Sequence, residues 1–241
     1  MIIFPPDGWR LGLYYIGHAS WLLMNADGLI LLIDPFLSES FKWNDKVVWR
    51  RIPPSADVDE IASCEGILIT HEHEDHYDKN TVLKIVKNTG SKVICPYGIR
   101  NIISRDGVPK KNVIGLRDKE TTNLGGFNIT LIAEDKTCTR ACFFIKYLDI
   151  RIFHSGDTHK LPESAKREGK VDIALTWLEC AEEVIKYLKP TRTILMHYNV
   201  VDEPTISGSD VNIYDVLKRL REVAPKGVKV ELLGLGKWVL F

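Results

Sequence analysis

The sequence lacks the patterns that mark membrane and secreted proteins. No apolar run approaches the roughly 20 residues needed to span a bilayer. Met1–Arg10 has two prolines and an aspartate instead of a charged start followed by an apolar stretch, so we expect no signal peptide. The five cysteines form no C-x-x-C pair and are expected to be reduced, mostly buried thiols. These absences predict a soluble cytoplasmic protein without a membrane partner.

The chain also lacks net charge and internal linkers. Lys plus Arg and Asp plus Glu each number 32, so no overall attraction to nucleic acid is expected. No Ser/Gly-rich or low-complexity segment divides the 241 residues, and hydrophobic residues make up 45%, enough for a sizeable core. We therefore expect a single domain over residues 1–241. A homo-oligomer remains compatible with this composition.

What the sequence does contain is a series of short β-branched or Leu-rich runs that alternate with helical patterns. Strands are expected at Leu13–Ile16, Trp21–Met24, Leu29–Ile33, Ile67–Thr70, Lys92–Cys95, Asn128–Ile132, Cys142–Tyr147, Ile150–Phe153, Ile173–Thr176, Thr193–Met196, Lys229–Leu232 and Trp238–Phe241. Helices are expected at Lys79–Lys87, with Asp78 as N-cap and Gly90 as terminator, at Glu179–Leu188 before Pro190, and at Asp210–Val223. Two strand-rich halves with helices predict two packed sheets covered by helices outside.

The segment Ser38–Asp59 is the most irregular part of the chain. It contains Pro53-Pro54 and three aromatic residues, Phe41, Trp43 and Trp49. We expect a long loop here. It either lies over a site or is a surface insertion whose aromatic rings cover edges of the core.

Four apolar strand candidates end abruptly in Asp or His. The residues that follow them are Asp34, the H-E-H-E-D-H run at 71–76, Asp157 in H-S-G-D-T, and His197. In layered α/β folds, ligand sites form beyond the carboxyl ends of strands. Four such ends carrying metal-ligand residue types therefore predict one shared pocket.

The run at 71–76 is the strongest of these signals. Polar side chains at this density are poorly suited to burial without partners. His71 and His73, spaced by one residue after a strand, can point to one cation, and Asp75 and His76 can then face a second cation beside it. The alternative is an exposed charged loop, which the preceding strand and the capped helix that follows disfavour.

H-E-H-E-D-H resembles the H-x-H-x-D-H motif of the metallo-β-lactamase superfamily, and the other motifs follow in that family's order. The resemblance implies a four-layer αββα sandwich of the α/β class and a metal-dependent hydrolase. It implies His71 and His73 as ligands of a first metal and Asp157 as a bridging carboxylate. It also implies that a second metal is bound by Asp75, His76 and His197. Asp34 is implied as a residue that orients a ligand histidine.

Within that superfamily, G-H-A-S at 17–20 and L-M-H-Y at 195–198 are most similar to the branch containing the phosphorylated-ascorbate lactonase. His18 would then lie at the pocket rim and contact substrate; otherwise it is a turn residue bonded to backbone. Asp75 would orient the nucleophile and help protonate the leaving group.

The implied reaction is hydrolysis of a small ester, lactone or phosphoester by a metal-activated water. A phosphodiesterase or nuclease is one alternative, which the neutral composition disfavours. A non-catalytic protein with a degraded metal site is another.

The chain departs from the family in one respect. The family places a further first-metal histidine between the two central motifs, where Thr130–Lys136 contains none. Glu134 or Asp135 would then supply an oxygen, and we favour Asp135; His159 is a further candidate. We expect one or two ions, zinc or manganese, with a carboxylate ligand favouring manganese. His154, Cys138 and Cys142 are expected to be packing residues.

Overall fold

The computed structural model describes residues 8–198, 200–202 and 212–241. The strands of the first half are β1 (Leu11–Gly17), β2 (Ser20–Asn25), β3 (Ile30–Ile33), β4 (Ser40–Trp43), β5 (Lys46–Trp49), β6 (Gly66–Leu68), β7 (Lys92–Pro96) and β8 (Val113–Leu116). Those of the second half are β9 (Thr121–Leu124), β10 (Phe127–Ala133), β11 (Ala141–Tyr147), β12 (Ile150–His154), β13 (Ile173–Thr176), β14 (Arg192–Leu195), β15 (Lys229–Leu232) and β16 (Trp238–Leu240). The helices are α1 (Lys79–Thr89), α2 (Arg100–Arg105), α3 (Ala181–Leu188) and α4 (Ile213–Val223).

Two seven-stranded mixed sheets share one organisation. The first has the order β16-β1-β2-β3-β6-β7-β8 and the second β15-β14-β13-β12-β11-β10-β9. In the first sheet, β3, β6, β7 and β8 are parallel and the remaining pairs antiparallel. In the second sheet, β12 to β15 are parallel and β9 to β12 antiparallel. Each sheet thus has several neighbouring carboxyl ends at one edge, where ligand sites form.

Successive side chains of a strand point to opposite faces of its sheet, so the core is divided into one inner layer and two outer layers. Leu13 of β1 and Ile129 of β10 lie in the core between the sheets. Adjacent strand residues face outward: Tyr14, next to Leu13, packs in the cluster that includes α1 and α2. Phe144 of β11, between two residues of the inner core, lies in the cluster with α3. Helices therefore cover both sheets from outside. The predicted four-layer αββα sandwich is confirmed.

The helix ends follow local sequence signals. The Asp78 side chain accepts a hydrogen bond from Thr81 N at 3.2 Å, and Gly90 ends α1 with φ 72°. Both were predicted, since these are ordinary capping residues. α3 begins at Ala181, two residues later than expected. The first residues of the predicted helix Asp210–Val223, up to residue 211, lie outside the described residues.

The segment predicted as a structureless loop contains a β-hairpin. β4 and β5 pair in antiparallel register, with Trp43 opposite Lys46. Asn44 has φ 54°, a conformation that Asn adopts readily in tight turns. Phe41 packs in a small apolar cluster with Phe36. The prediction of a loop over 38–59 is therefore wrong at residues 40–49, because short aromatic and β-branched runs around an Asn-Asp turn form strands.

Among the described residues, no helix is long and apolar enough to cross a bilayer. Residues 1–7 of the N-terminal segment considered for a signal peptide lie outside the described residues. All five cysteines are buried and unpaired. Cys138 lies in the inner core and Cys142 in the outer layer beneath α3, as packing residues do.

Candidate metal centre

The site is assembled where strands of both sheets end. Asp34 follows β3, the 71–76 run follows β6, Asp157 follows β12 and His197 follows β14. β3 and β6 are neighbours in the first sheet, and β12 and β14 flank β13 in the second. His18 comes from the turn between β1 and β2. The structure therefore brings the four predicted strand ends to one place.

Three site residues have left-handed backbone conformations. The φ angles of His18, Asp34 and His197 are 58°, 42° and 62°. A non-glycine residue in this region is strained by about 1–3 kcal/mol, so its surroundings must hold it there. The His18 carbonyl accepts hydrogen bonds from the Tyr15 hydroxyl at 3.1 Å and from His197 N at 3.0 Å. Ser20 similarly donates to the Asp34 carbonyl at 2.7 Å.

The side chains that could hold a metal ion form two groups. The first group is His71, His73 and Asp157, and the second group is His18, Asp75, His76 and His197; within each, the ligand atoms lie within 4.8 Å of one another. Asp157, a member of the first group, also contacts the second. Its Oδ1 is 3.0 Å from His76 Nε2 and 3.1 Å from His197 Nε2, and its Oδ2 is 3.6 Å from His71 Nε2.

The donor atoms fit a bound cation. His71 Nε2 and Asp75 Oδ1 are buried without a hydrogen-bond partner among the described residues. Leaving a buried polar atom unpaired costs about 1–3 kcal/mol, so two such atoms in one cluster indicate that a partner, here a cation, binds between them. A set of imidazole nitrogens and carboxylate oxygens suits zinc, manganese or iron.

Hydrogen bonds with Asp34 and Thr70 determine which ring nitrogen of His71 and of His76 faces the centre. Thr70 donates its hydroxyl proton to Asp34 Oδ2 at 2.6 Å, and His76 Nδ1 lies 2.8 Å from the same oxygen. Because that proton is committed, Thr70 Oγ1 accepts from His71 Nδ1, 3.0 Å away. Both rings therefore keep Nε2 free for a cation.

Gly156 allows Thr70 to sit where it does. A Cβ at Gly156, whose φ is 54°, would lie 2.9 Å from Thr70 Cβ. A side chain at this position would displace Thr70, so the H-S-G-D-T turn needs its glycine for close approach as well as for conformation.

The electrostatics favour a cation at the centre. Burial by itself would lower the pKa of His76, but Asp157, Asp75 and Asp34 raise it well above its ordinary value. Burial would raise the pKa of Asp157, yet the neighbouring histidines, His197 first, hold it well below its usual range. Carboxylates that stabilise a proton on His76 also stabilise a metal ion.

His18 is deeper than the sequence suggested. It is 0% exposed, its Nε2 lies 2.9 Å from Asp75 Oδ2, and its ring centroid is 3.8 Å from that of His197. Burial, followed by the His197 charge, lowers the pKa of His18 to about 3. The expected position of His18 at the pocket rim is therefore wrong, since its ring is fully buried against Asp75.

The loop after β10 brings neither of its carboxylates into the two groups. Asp135 instead accepts from Thr137 N at 2.8 Å and from the Thr137 hydroxyl, as Asp does in turns. Glu134 accepts from the Thr158 hydroxyl at 2.7 Å and lies 3.5 Å from Arg140. The favoured ligand Asp135 is therefore not placed with the other candidates, because it stabilises its own loop.

The remaining histidines lie outside both groups. His154 is 0% exposed, with Nε2 3.1 Å from the Ala19 carbonyl oxygen. The His159 side chain is 64% exposed, and its Nδ1 lies 2.5 Å from Glu179 Oε2. His154 thus packs at its strand end as expected, while His159 stays in the loop and does not fill the position of the absent histidine.

Sequence reasoning missed two residues at this centre. Thr70 was included only as the end of a strand, although its position directly before His71 was a usable signal. Arg140 lies beside the first group, donating to the Asp157 carbonyl at 3.4 Å. Nothing in the sequence around Arg140 indicated this contact, which depends on the folded loop. Trp43 was named in a segment with two possible positions, and its ring centroid lies 4.9 Å from that of His73, so this part of the segment lies against the centre.

Comparison with known proteins gives one consistent family. The chain is 27% identical to a metal-dependent hydrolase from Methanosphaera stadtmanae, over 91% of this chain and 92% of that protein. It resembles the structure of a metallo hydrolase from Ignicoccus hospitalis, with TM-score 0.67, 21% identity and coverage of 96% and 98%. It also resembles a diiron β-hydroxylase from Streptomyces venezuelae, with TM-score 0.69, 17% identity, 98% of this chain and 55% of that one.

The hydroxylase shows that the reaction does not follow from this fold alone. The sequence pattern of the β-lactamase superfamily domain, however, matches residues 30–198, which include the whole 71–76 run, Asp157 and His197. With its His/Asp centre and its relatives named as metal-dependent hydrolases, the chain belongs to the metallo-β-lactamase superfamily and is a metal-dependent hydrolase.

Proposed function

We propose that the chain hydrolyses a small ester, lactone or phosphoester at the centre formed by the first and second groups. The observation that carries this proposal is the placement of Asp157 against two sets of candidate ligand side chains, all of them buried except the half-buried His73. A nucleic-acid substrate has no support in the balanced charge of the chain. The proposal includes a cytoplasmic location, in keeping with five unpaired thiols.

In this proposal, His71 and His73 hold a first ion, Asp75, His76 and His197 hold a second, and Asp157 contacts both. Zinc or manganese, one or two ions per chain, suits these nitrogen and oxygen donors. A divalent ion held by these residues would lower the pKa of water far below its bulk value, to about 7, and so would supply hydroxide at neutral pH. Asp34 keeps His76 oriented through its 2.8 Å contact with Nδ1.

Asp75 is the proposed proton-handling residue. Its Oδ2 lies 2.9 Å from His18 Nε2, whereas its Oδ1 is buried with no partner among the described residues. Because His18 is neutral, its Nε2–H donates to Oδ2 and fixes the carboxylate plane. As a member of the second group, Asp75 would orient the attacking water, take the proton that the water loses on attack, and pass that proton to the leaving group. His18 is therefore proposed as a positioning residue for Asp75.

The aromatic residues around the centre suit a small organic substrate. Trp43 stands edge-on to His73, and Lys42 N of the same hairpin donates to Glu74 at 2.7 Å. Trp177 lies 5.6 Å from His197 between ring centroids. Pockets for small molecules combine such apolar walls with a few convergent polar groups.

A panel assay tests the proposed function. Metal-loaded protein is assayed on lactones, carboxylic esters, thioesters and phosphodiesters, each with a chelated sample alongside. We expect metal-dependent turnover in at least one of the oxygen-ester classes. Asp75→Asn should lower kcat by about 10²–10⁴-fold, the usual contribution of a general acid or base. An Asp75→Asn protein that retains wild-type kcat would remove Asp75 from this role.

A further inference from the structure

Arg140 places a positive charge against the first group without belonging to it. Its Nη2 donates to the Asp157 carbonyl oxygen at 3.4 Å, and its side chain is only 28% exposed. The guanidinium therefore lies beside Asp157, a member of the first group.

The ion pair of Arg140 is loose compared with a structural one. Arg140 Nε lies 3.5 Å from Glu134 Oε2, and the side-chain exposures are 28% and 22%. Arg192 and Glu231 have the same two exposures, yet their Nε–Oε1 distance is 2.6 Å. Glu134 also accepts from the Thr158 hydroxyl. Since a guanidinium has five N–H donors, Arg140 retains donors for a further partner.

A role in holding the metal does not explain the position of Arg140 beside the first group. A positive charge beside a cation site opposes binding of the cation, and the first group already lacks a fourth protein ligand. An anion held between Arg140 and the centre would remove that repulsion. Arginine is also the side chain best suited to carboxylate and phosphate groups, because its planar donors match their oxygens.

We propose that Arg140 selects substrates that carry an oxyanion, a carboxylate or a phosphate, next to the bond that is hydrolysed. This inference rests on the proposed function and narrows its substrate class. Arg140 would contact the substrate directly, while Glu134 holds the arginine near the first group.

The test compares wild type with Arg140→Gln and a matched control, Arg151→Gln. Arg151 pairs with Glu168 at 3.6 Å, with side-chain exposures of 32% and 35%, at the start of β12 and so at the end away from Asp157. Zinc-loaded proteins are titrated with inorganic phosphate and with acetate by calorimetry. Hydrolysis of γ-butyrolactone is compared with that of its ring-carboxylated derivative, and bound zinc is measured in each protein.

We expect Arg140→Gln to weaken phosphate binding roughly 10-fold or more, the usual effect of losing a charge-assisted hydrogen bond. If the oxyanion of the natural substrate is a carboxylate, the preference of the variant for the carboxylated lactone should fall by a similar factor. If only phosphate binding is weakened, the oxyanion of the natural substrate is a phosphate. Zinc content should stay within about twofold of wild type, and turnover of the neutral lactone should fall less than turnover of the carboxylated one. Arg151→Gln should match wild type throughout.

Equal phosphate affinity in wild type and Arg140→Gln would overturn the inference, as would loss of zinc from the variant, which would show a structural role. Wild-type protein that binds no zinc and cleaves neither lactone would overturn the proposed function separately. In that case the phosphate affinities of the two proteins would still decide the role of Arg140.

Discussion

Asp157 is the residue on which both groups depend. It lies within 3.6 Å of one histidine of the first group and within 3.1 Å of two histidines of the second. Asp157→Ala should therefore reduce the metal content of both sites and lower activity by more than about 100-fold. Even residues that only support a ligand often cost 10–100-fold. His197→Ala should also abolish most activity, but it should affect the second site more than the first.

Metal analysis and kinetics of both variants check this, with circular dichroism to show that the fold is kept. Asp149→Asn is the matched control, because its side chain is 72% exposed and pairs with Arg10 at the surface. Wild-type turnover by Asp157→Ala on a confirmed substrate would contradict the proposed arrangement.

Thr70 gives a second test at the level of single atoms. Thr70→Val removes the hydroxyl that donates to Asp34 and accepts from His71 Nδ1, so we expect about 10–100-fold weaker metal binding. Thr70→Ser should restore most of the affinity. Thr193→Val is the control, since the buried Thr193 hydroxyl has no partner among the described residues. Calorimetric metal titrations that are unchanged in Thr70→Val would show that the hydroxyl does not orient His71.

Whether the position of a single residue could be predicted from the sequence depends on what holds that residue in place. Candidate ligands that lie within three residues of a strand end, such as Asp157 and His197, could be predicted to converge because the end of a strand restricts where the following side chains lie. His18 was misplaced because its depth depends on a left-handed turn. Arg140 was missed and Asp135 was overvalued because the course of the loop between β10 and β11 is set by its own side-chain bonds.

At the scale of elements, the buried strands were predictable and the surface ones were not. Runs such as Ile173–Thr176 contain only buried residues, so hydrophobicity alone marks them. β9, by contrast, has exposed and half-buried residues in alternation and reads Thr-Thr-Asn-Leu. The β4–β5 hairpin was taken for a loop because only Phe41 and Val48 of its eight residues are buried. Its strands are stabilised by contacts that no local pattern shows.

The hairpin makes its own prediction. Trp43→Ala should raise KM by about 2- to 12-fold, since a well-placed aromatic contact contributes about 0.5–1.5 kcal/mol, while metal content stays at the wild-type level. Trp49→Ala, on the other strand of the hairpin and 55% exposed, is the matched control. Steady-state kinetics on a confirmed substrate measure both. An unchanged KM in Trp43→Ala would show that the hairpin does not line the substrate site.

At the scale of the whole molecule, two outer layers and an inner core bury all five thiols. Burial raises the pKa of Cys64, Cys95 and Cys180 to about 12, and that of Cys142 well above its ordinary value. At pH 8 a thiol of pKa 12 is ionised to only about one part in ten thousand, and the thiolate is the reactive form. The folded protein should therefore react slowly with a disulfide reagent, and all five thiols should react once guanidinium unfolds it. Rapid labelling of several thiols in the folded protein would contradict the packing.

The four-layer architecture could be predicted from the two strand-rich halves with their helices and from the family resemblance, which implies it. The pairing of the two sheets was harder to derive, since it rests on long-range contacts such as that between His197 N and the His18 carbonyl. Those contacts also bring the two groups together, so the metal centre and the closed sandwich depend on one another. Binding of metal should accordingly stabilise the fold, in proportion to the logarithm of its concentration above Kd.

The measurement that most directly tests this account is the metal stoichiometry of the purified chain, with hydrolysis followed through removal and return of the metal. Elemental analysis should find one to two equivalents of zinc or manganese per chain. Chelation should abolish hydrolysis and lower the unfolding temperature, and adding either metal back should restore both. Less than a tenth of an equivalent bound even after metal addition, or undiminished hydrolysis by the stripped protein, would contradict a metal-dependent centre at His71, His73, Asp75, His76, Asp157 and His197.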